Sequence, residues 1–168
     1  HALSAPGACA LFGLPGSGRA MVYAALAKET GRFLCIVTPG EAEATRFAGD
    51  LNALGIPTAV FPARDYVLRP IEGTAREYEY RRLSVLGDIV GGRLQAVCVP
   101  DEGLTQYTTP RAEFCNNTRT LHPGDTLPRA ELTALLYGAG YARRDQVDGP
   151  GQFSIRGDIA DIYAPDMK

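Results

Sequence analysis

Long apolar runs are absent from this sequence. None approaches the roughly 20 residues that a membrane-spanning helix needs, so we predict no transmembrane segment and no membrane partner. The start lacks a basic region followed by a long apolar segment, which argues against a secretory signal. Because the chain begins without Met and ends inside a segment of ongoing structure, we expect a fragment that is truncated at its C-terminus.

Metal-ligating residues are also sparse. The two histidines are isolated, and no Cys pair or Cys/His pair has the spacing of a zinc site, so we predict no metal. The four cysteines lie far apart in the sequence, at Cys9, Cys35, Cys98 and Cys115. The first three fall in apolar, strand-like runs, and we interpret them as thiols of the core. Reduced thiols suit the cytoplasm, where we expect this protein.

An excess of positive charge is missing as well. The 17 Lys and Arg residues against 19 Asp and Glu give a formal net charge of −2. Non-specific nucleic-acid binding depends on a large basic face, so we expect this chain to bind duplex DNA only weakly. If DNA matters to the protein, other regions hold it.

The sequence does contain a glycine-rich stretch near its start. Gly13, four intervening residues and Gly18 reproduce the spacing of the P-loop, whose backbone N–H groups cradle phosphates at a helix N-terminus. The apolar run from Ala8 to Phe12 precedes it and predicts a strand. The next two positions depart from the motif. Arg19 stands where Lys reaches the outer phosphates, and Ala20 stands where Ser or Thr holds Mg²⁺.

Three interpretations of this loop are open. It is a glycine turn between a strand and a helix, a working nucleotide site, or a degenerate NTPase loop that serves as a scaffold. Arg keeps the positive charge, but its planar fork fits poorly where a compact ammonium is wanted, and Ala offers the metal no oxygen. We favour a degenerate phosphate loop with no productive ATP binding, no cofactor and no catalytic residue, at Gly13, Gly16, Gly18, Arg19 and Ala20.

Strand and helix patterns alternate through the first part of the chain. A helix is predicted over Arg19–Lys28, with Gly31 as its stop. Apolar residues three and four positions apart predict a second helix around Phe47 and a third from Thr74 to about Val90. Continuous apolar runs predict buried strands at Phe33–Val37, Thr58–Phe61 and Gln95–Val99. The alternation is typical of an α/β fold with a doubly wound parallel sheet.

Two segments that follow predicted strands hold polar residues whose role is open. The irregular stretch Pro62–Gly73 is either a site at the end of a parallel strand or a solvated connection. Asp101 follows a strand and Pro100, which resembles the acidic metal-binding motif of ATPases. It is also well placed to cap a short helix through Gln106, and we favour capping.

A second, small α+β domain is predicted after a change in sequence character. We place the boundary near Glu113, which gives domains at 1–113 and 114–168. In the second domain, apolar spacing predicts a helix that Gly140 stops. Strands are predicted before and after this helix, at Thr118–His122, Tyr141–Val147 and Phe153–Tyr163.

The second domain contains four segments that together form a recognisable pattern: Asp145-Gln146-Val147, Gly149-Pro150-Gly151-Gln152-Phe153, Ile155-Arg156-Gly157-Asp158-Ile159 and Asp161-Ile162-Tyr163. With these segments, the domain closely resembles the N-terminal module of bacterial transcription-repair coupling factors. The excinuclease protein UvrB is similar and shares the Arg-Gly-Asp segment. Support extends to the first domain, in Val37-Thr38-Pro39, Phe61-Pro62-Ala63 and Arg82-Leu83. The P-loop is intact in UvrB and lost in coupling factors, so the departures at the loop favour the coupling factor.

The resemblance implies a RecA-like first domain and a second domain that binds the excinuclease protein UvrA. Within the family an Arg of the Arg-Gly segment contributes to that contact, and it matches Arg156 here. Gly157 permits a tight turn beside it, so that the guanidinium can face a carboxylate of the partner. From the residues alone, an internal pair of Arg156 with Asp158, Asp161 or another carboxylate is the alternative.

The implied function is that of a non-catalytic recruitment module that brings nucleotide excision repair to stalled RNA polymerase. The resemblance implies that the ATP- and Mg-dependent DNA translocase motors and the RNA polymerase-binding domain lie downstream. Other domains of the parent chain would then be further partners. The alternative function is a nucleotide-binding P-loop ATPase or helicase-like domain, as in UvrB.

Overall fold

The structure of this protein, a computed structural model, describes residues 7–64 and 75–165. The chain forms two compact units that divide between Gln106 and Tyr107. The predicted boundary at Glu113 lies inside a short helix of the second unit. No helix in the described ranges is both long and apolar enough to cross a membrane.

The first unit is an α/β structure with an all-parallel sheet. Its elements in chain order are α1 (Gly16–Thr30), β1 (Leu34–Thr38), α2 (Glu41–Ala53), β2 (Thr58–Val60), α3 (Ala75–Val90), β3 (Ala96–Pro100) and α4 (Asp101–Thr105). The strand order is β1-β3-β2, and both neighbours of β3 run parallel to it. The predicted parallel sheet is therefore confirmed.

Helices lie on both faces of β3. All five of its residues are buried, because alternate side chains point to opposite faces of the sheet. Ala96 and Cys98 pack in one cluster with α1 and α2, where the rings of Tyr23 and Phe47 meet edge to face at 5.7 Å. Val97 and Val99 pack in a second cluster, against α3.

The structure has the three long helices that the sequence predicted, although in α3 Val85 is buried while Leu83 and Val90 are exposed. α1 ends where the sequence predicted, since Gly31 adopts φ 63° and its N–H donates to the carbonyl of Ala27. The helix begins earlier than predicted, at Gly16, and so includes most of the glycine-rich stretch. In α2 the buried stripe includes Phe47 and Leu51.

β1 is buried on one face only, so the prediction of a strand covered on both faces is wrong. Ile36 and Thr38 are buried, whereas Cys35 and Val37 are exposed. Register pairs Cys35 with Val97, which places the exposed residues on the α3 side of the sheet. Among the described strands β1 is terminal in the sheet, and the α3 cluster contains described residues of β2 and β3 but none of β1. The apolar run alone could not reveal this position.

Residues 8–12 form no strand, which corrects a second prediction. The segment has no regular secondary structure and is exposed throughout, with Phe12 90% accessible. The segment has the apolar composition that is typical of a strand, but a strand also needs a neighbouring strand to pair its backbone hydrogen-bonding groups. In the described part of the chain this segment has no such neighbour.

Only one of the four cysteines is a core thiol. Cys98 is buried in β3, whereas Cys9, Cys35 and Cys115 are exposed. Burial raises the pKa of the Cys98 thiol to about 11, with a smaller contribution from nearby Cys35. The interpretation of Cys9 and Cys35 as core residues is wrong because neither of their segments is covered on that side.

The second unit is a small α+β structure. Its elements are α5 (Arg111–Asn116), α6 (Arg129–Gly138), β4 (Ala142–Arg143), β5 (Gln152–Arg156) and β6 (Ile159–Tyr163). The sheet is mixed, in the order β4-β5-β6, with β4 parallel and β6 antiparallel to β5. Leu136 of α6 packs on Phe153 and Ile155 of β5. Phe153 is fully buried, and Tyr137 meets its ring edge to face at 5.3 Å.

Three strand predictions for this unit need correction. Residues 118–122 form no strand; they lead into a turn where the carboxylate of Asp125 accepts the N–H of His122 at 2.8 Å. The strand predicted over Tyr141–Val147 is confined to β4. The strand predicted over Phe153–Tyr163 is divided into β5 and β6 by a turn at Gly157.

Candidate functional site

Arg156 lies at the tip of the β5–β6 hairpin. It is paired in register with Ile159, so the connection consists of Gly157 and Asp158. Gly157 has φ 59°, a left-handed conformation that side chains disfavour, although a Cβ there would meet no atom within 4 Å. Glycine is therefore needed at this position for the backbone conformation rather than for space. This turn ends β5 and places Arg156 at its last position.

The side chain of Arg156 is held by Asp161. Its Nη2 donates to Oδ2 of Asp161 at 2.6 Å, and the two side chains are 69% and 44% exposed. Asp161 is in register with Ser154, so its side chain lies on the same face of the hairpin as that of Arg156. Of the carboxylates that the sequence offered as internal partners, the structure selects Asp161. An exposed pair of this kind contributes only about 0.2 to 1 kcal/mol to stability.

A groove runs beside this ion pair on the second unit. Its lining residues include Gln146, Val147, Arg156, Asp161 and Tyr163. The segment that carries Val147 is anchored to β5, because the hydroxyl of Ser154 donates to the carbonyl of Asp145, and the side-chain oxygen of Gln152 accepts the N–H of Asp148. The groove thus combines apolar residues such as Val147 with one exposed guanidinium.

The exposed apolar residues near the groove extend its surface. Ile159 is 65% and Tyr163 36% accessible, and both belong to β6. Arg and aromatic residues such as Tyr163 are enriched in the cores of protein interfaces. The arrangement is suited to binding a partner segment that carries a carboxylate and an apolar side chain.

The predicted phosphate loop lies largely inside α1. Gly13 has φ 75°, but Gly16, Gly18, Arg19 and Ala20 all belong to the helix, with Pro15 at its N-cap. The backbone N–H of Arg19 donates to the carbonyl of Pro15 at 3.1 Å. This helical bond occupies one of the amides that a phosphate cradle would use.

The side chains of the loop are also engaged elsewhere. The Nη2 atom of Arg19 donates to Oε1 of Glu43 at 3.3 Å, and Arg46 lies 3.7 Å from the same carboxylate oxygen. Ala20 is 1% exposed and packs in the cluster between α1, α2 and the sheet. Two arginines therefore share one carboxylate beside this loop, and the buried methyl group of Ala20 offers no oxygen to a metal ion.

A network that sequence reasoning missed holds the chain where it leaves β2. The side chain of Gln106 pairs with the backbone of Arg64 as a strand would, accepting its N–H at 2.7 Å and donating to its carbonyl at 2.9 Å. Arg82 donates to the carbonyl of Pro62 at 2.8 Å, and its guanidinium lies 4.0 Å from the ring centroid of Phe61. The partners are 42 and 20 positions apart, so no local pattern could have indicated them.

The prediction that Asp101 caps the helix after β3 is wrong, because Asp101 lies inside this helix and no described side chain caps its N-terminus. α4 begins at Asp101, and the Asp101 carboxylate accepts the N–H of Glu102 at 2.9 Å, whereas the N-cap position itself is Pro100. Within the described ranges no group of three or more His, Cys, Asp or Glu residues could hold a metal ion. In the stretch Pro62–Gly73, only the residues through Arg64 lie within the described ranges.

Comparisons with known proteins cover both units. Residues 120–168 match the family model described as the UvrB interaction domain. The transcription-repair-coupling factor of Bacillus subtilis is 30% identical over 155 residues, which cover 91% of this chain. The UvrABC system protein B of Chlorobium limicola is 25% identical over 167 residues, and the transcription-repair-coupling factor of Staphylococcus aureus is 24% identical over 153 residues.

The chain spans only part of these relatives. It covers 13% of the length of the Bacillus subtilis protein and 24% of that of the Chlorobium limicola protein. The family match contains β5, the Gly157 turn and Arg156, together with α6. The resemblance predicted from the sequence is thereby confirmed: this chain is similar over nine tenths of its length to a module of the transcription-repair coupling factors, and its second unit carries the match to the UvrB interaction domain.

Proposed function

We propose that this chain is a non-catalytic recruitment module of a cytoplasmic transcription-coupled repair factor. In this role it binds the excinuclease protein UvrA and brings nucleotide excision repair to stalled RNA polymerase. The proposal is supported by the match of residues 120–168 to the UvrB interaction domain and by the similarity to coupling factors over 91% of the chain. RNA polymerase, DNA, and the ATP and Mg²⁺ of a translocase motor would engage other domains of such a factor.

The partner-binding residues in this proposal are Arg156 and Gly157. The observation that carries it is the position of Arg156, which is 69% exposed at the end of a hairpin inside the matched region. A guanidinium offers five N–H donors in a planar fork, and it binds carboxylates with strong, directional hydrogen bonds. Gly157 contributes by allowing the turn that presents this side chain.

The first unit is, in this proposal, a RecA-like doubly wound scaffold with a degenerate phosphate loop. Helices on both faces of a parallel sheet support the fold assignment. The ion pair of Arg19 with Glu43 and the burial of Ala20 support a loop that no longer binds nucleotide. No cofactor is assigned to this chain.

Titration of UvrA with the whole chain tests the recruitment role. We expect saturable binding that Arg156→Ala weakens. If the guanidinium meets a carboxylate in a desolvated part of the interface, the loss is about 2 to 5 kcal/mol. At about 1.4 kcal/mol per tenfold, this corresponds to roughly thirtyfold to several thousandfold in affinity.

Arg119→Ala is the matched control for this experiment. Arg119 belongs to the same unit, is 59% exposed and lies 3.7 Å from a carboxylate oxygen of Glu131, so it resembles Arg156 in exposure and pairing. It does not line the groove. Equal affinities of the Arg156→Ala and Arg119→Ala variants would remove Arg156 from the site, and no binding by the wild-type chain would contradict the recruitment role itself.

A further inference from the structure

Asp161 is the hydrogen-bond partner that the described part of the chain provides for Arg156. The two residues lie on one face of the hairpin, two register positions apart, and both line the groove. The bond between Nη2 and Oδ2 is short, at 2.6 Å, as charge-assisted bonds are. It engages one terminal nitrogen of the guanidinium.

Among the described residues, Asp161 alone accepts a hydrogen bond from the Arg156 side chain, so that its other donors are open to a second acceptor. The guanidinium is planar and carries five N–H groups, and its side chain is 69% exposed although it is paired. A carboxylate of a partner can therefore bind another edge of the guanidinium while Asp161 keeps its hydrogen bond to Nη2. The positive charge then lies between the two carboxylates and limits the repulsion between them.

Holding the side chain of Arg156 in place before binding increases the affinity for the partner. A long Arg side chain has many rotamers, and ordering such a side chain at an interface weakens binding by an amount that corresponds to about threefold to tenfold in affinity. A residue that already fixes the guanidinium removes part of this cost. Asp161 is suited to the task because β6 is itself fixed by its antiparallel pairing with β5.

We propose that Asp161 is a positioning residue for partner recognition, which holds the guanidinium of Arg156 over the groove so that its free edge receives a carboxylate of the partner. This inference rests on the proposed function of Arg156 and adds a role for a second residue. It differs from a purely internal ion pair, in which Asp161 would compete with the partner for the same guanidinium. Competition and positioning predict opposite effects of removing the Asp161 charge.

The test is a double-mutant cycle on the whole chain, with UvrA as the probe. We expect Asp161→Asn to weaken binding about threefold to tenfold in the wild-type background and to have no effect in the Arg156→Ala background. Asp161→Glu, which restores the charge, should recover part of the loss. Asp158→Asn is the matched control, because it removes a negative charge from the same hairpin at a residue outside the groove lining, and it should leave the affinity unchanged.

The outcomes separate this inference from the proposed function. If Arg156→Ala weakens binding while Asp161→Asn has no effect or strengthens it, only the positioning role is overturned. An equal loss from Asp161→Asn in both backgrounds overturns it too, since Asp161 would then act independently of Arg156. If Arg156→Ala leaves binding intact, the proposed role of Arg156 fails, and the role of Asp161 fails with it.

Discussion

Replacing Arg82 should destabilise the first unit far more than its position on a mostly polar helix suggests. Arg82 is partly buried and donates to the carbonyl of Pro62 and, at 3.2 Å, to Oε1 of Gln106. Hydrogen bonds from a charged donor each contribute about 1.5 to 3 kcal/mol. The stacking of the guanidinium on the ring of Phe61 adds about 0.5 to 1 kcal/mol or more.

These terms are not additive, because all of them depend on one guanidinium held in one geometry. We therefore expect Arg82→Ala to lower the free energy of unfolding by about 2 to 4 kcal/mol. Arg82→Lys should lose part of the same stability, since an ammonium keeps the charge but does not stack as a plane on the ring of Phe61. The lost hydrogen bonds stabilise the segment that follows β2. Gln106, which accepts one of them, also holds the backbone of Arg64 in this segment.

Urea unfolding of the whole chain, followed by far-ultraviolet circular dichroism, measures this change. The matched control is Arg81→Ala, because Arg81 is the neighbouring residue of α3, is 50% exposed and lies 3.8 Å from Glu41. Such a surface pair contributes at most about 1 kcal/mol. If the Arg82 and Arg81 variants unfold at the same urea concentration, the contacts of Arg82 with Pro62, Gln106 and Phe61 do not stabilise the unit, and this reasoning is refuted.

Three further predictions concern the phosphate loop, the hairpin and the cysteines. Mg-ATP should leave the melting temperature unchanged, whereas a bound nucleotide at about 100 times its dissociation constant would add roughly 2.7 kcal/mol; a clear Mg-dependent rise would contradict the inert loop. Gly157→Ala should cost about 1 kcal/mol or more in unfolding free energy, because φ is 59° there, while Gly7→Ala, at an exposed position with no positive φ, should cost much less. At pH 8 a thiol reagent should label Cys35 quickly and Cys98 only on unfolding, since burial raises the pKa of Cys98 to about 11 and keeps it protonated; equal labelling rates in the folded protein would show that Cys98 is accessible.

The local elements of this protein are determined by its sequence. The apolar stripe of α2 and the glycine at the end of α1 specify helices through short-range packing and backbone preference, and the structure has both. The alternation of helical and strand patterns indicated a parallel sheet, because parallel strands need a crossover connection. The Arg-Gly segment indicated a turn, which the positive φ of Gly157 confirms.

The neighbours of those elements were decided only by the tertiary structure. The apolar run of β1 is the same whether it lies in the centre or at the edge of a sheet, and its edge position leaves Cys35 and Val37 exposed. The same ambiguity explains why residues 8–12 have the apolar composition of a strand but form no strand. Pairing depends on which segments meet in space, and composition does not contain that information.

For the candidate site, too, the sequence indicated some features and only the tertiary structure decided others. The resemblance to the coupling factors pointed to Arg156 and Gly157, and the residues alone left open which carboxylate Arg156 would meet. The antiparallel register of β5 and β6 settled this, because it brings Asp161 to the same face of the hairpin as Arg156. The amide of Gln106 reaches Arg64 across 42 positions of the chain only because the fold brings the end of α4 to the end of β2. The sequence determines the chemistry of each side chain, but the partner of each charged group is set by the packing of elements distant in the chain.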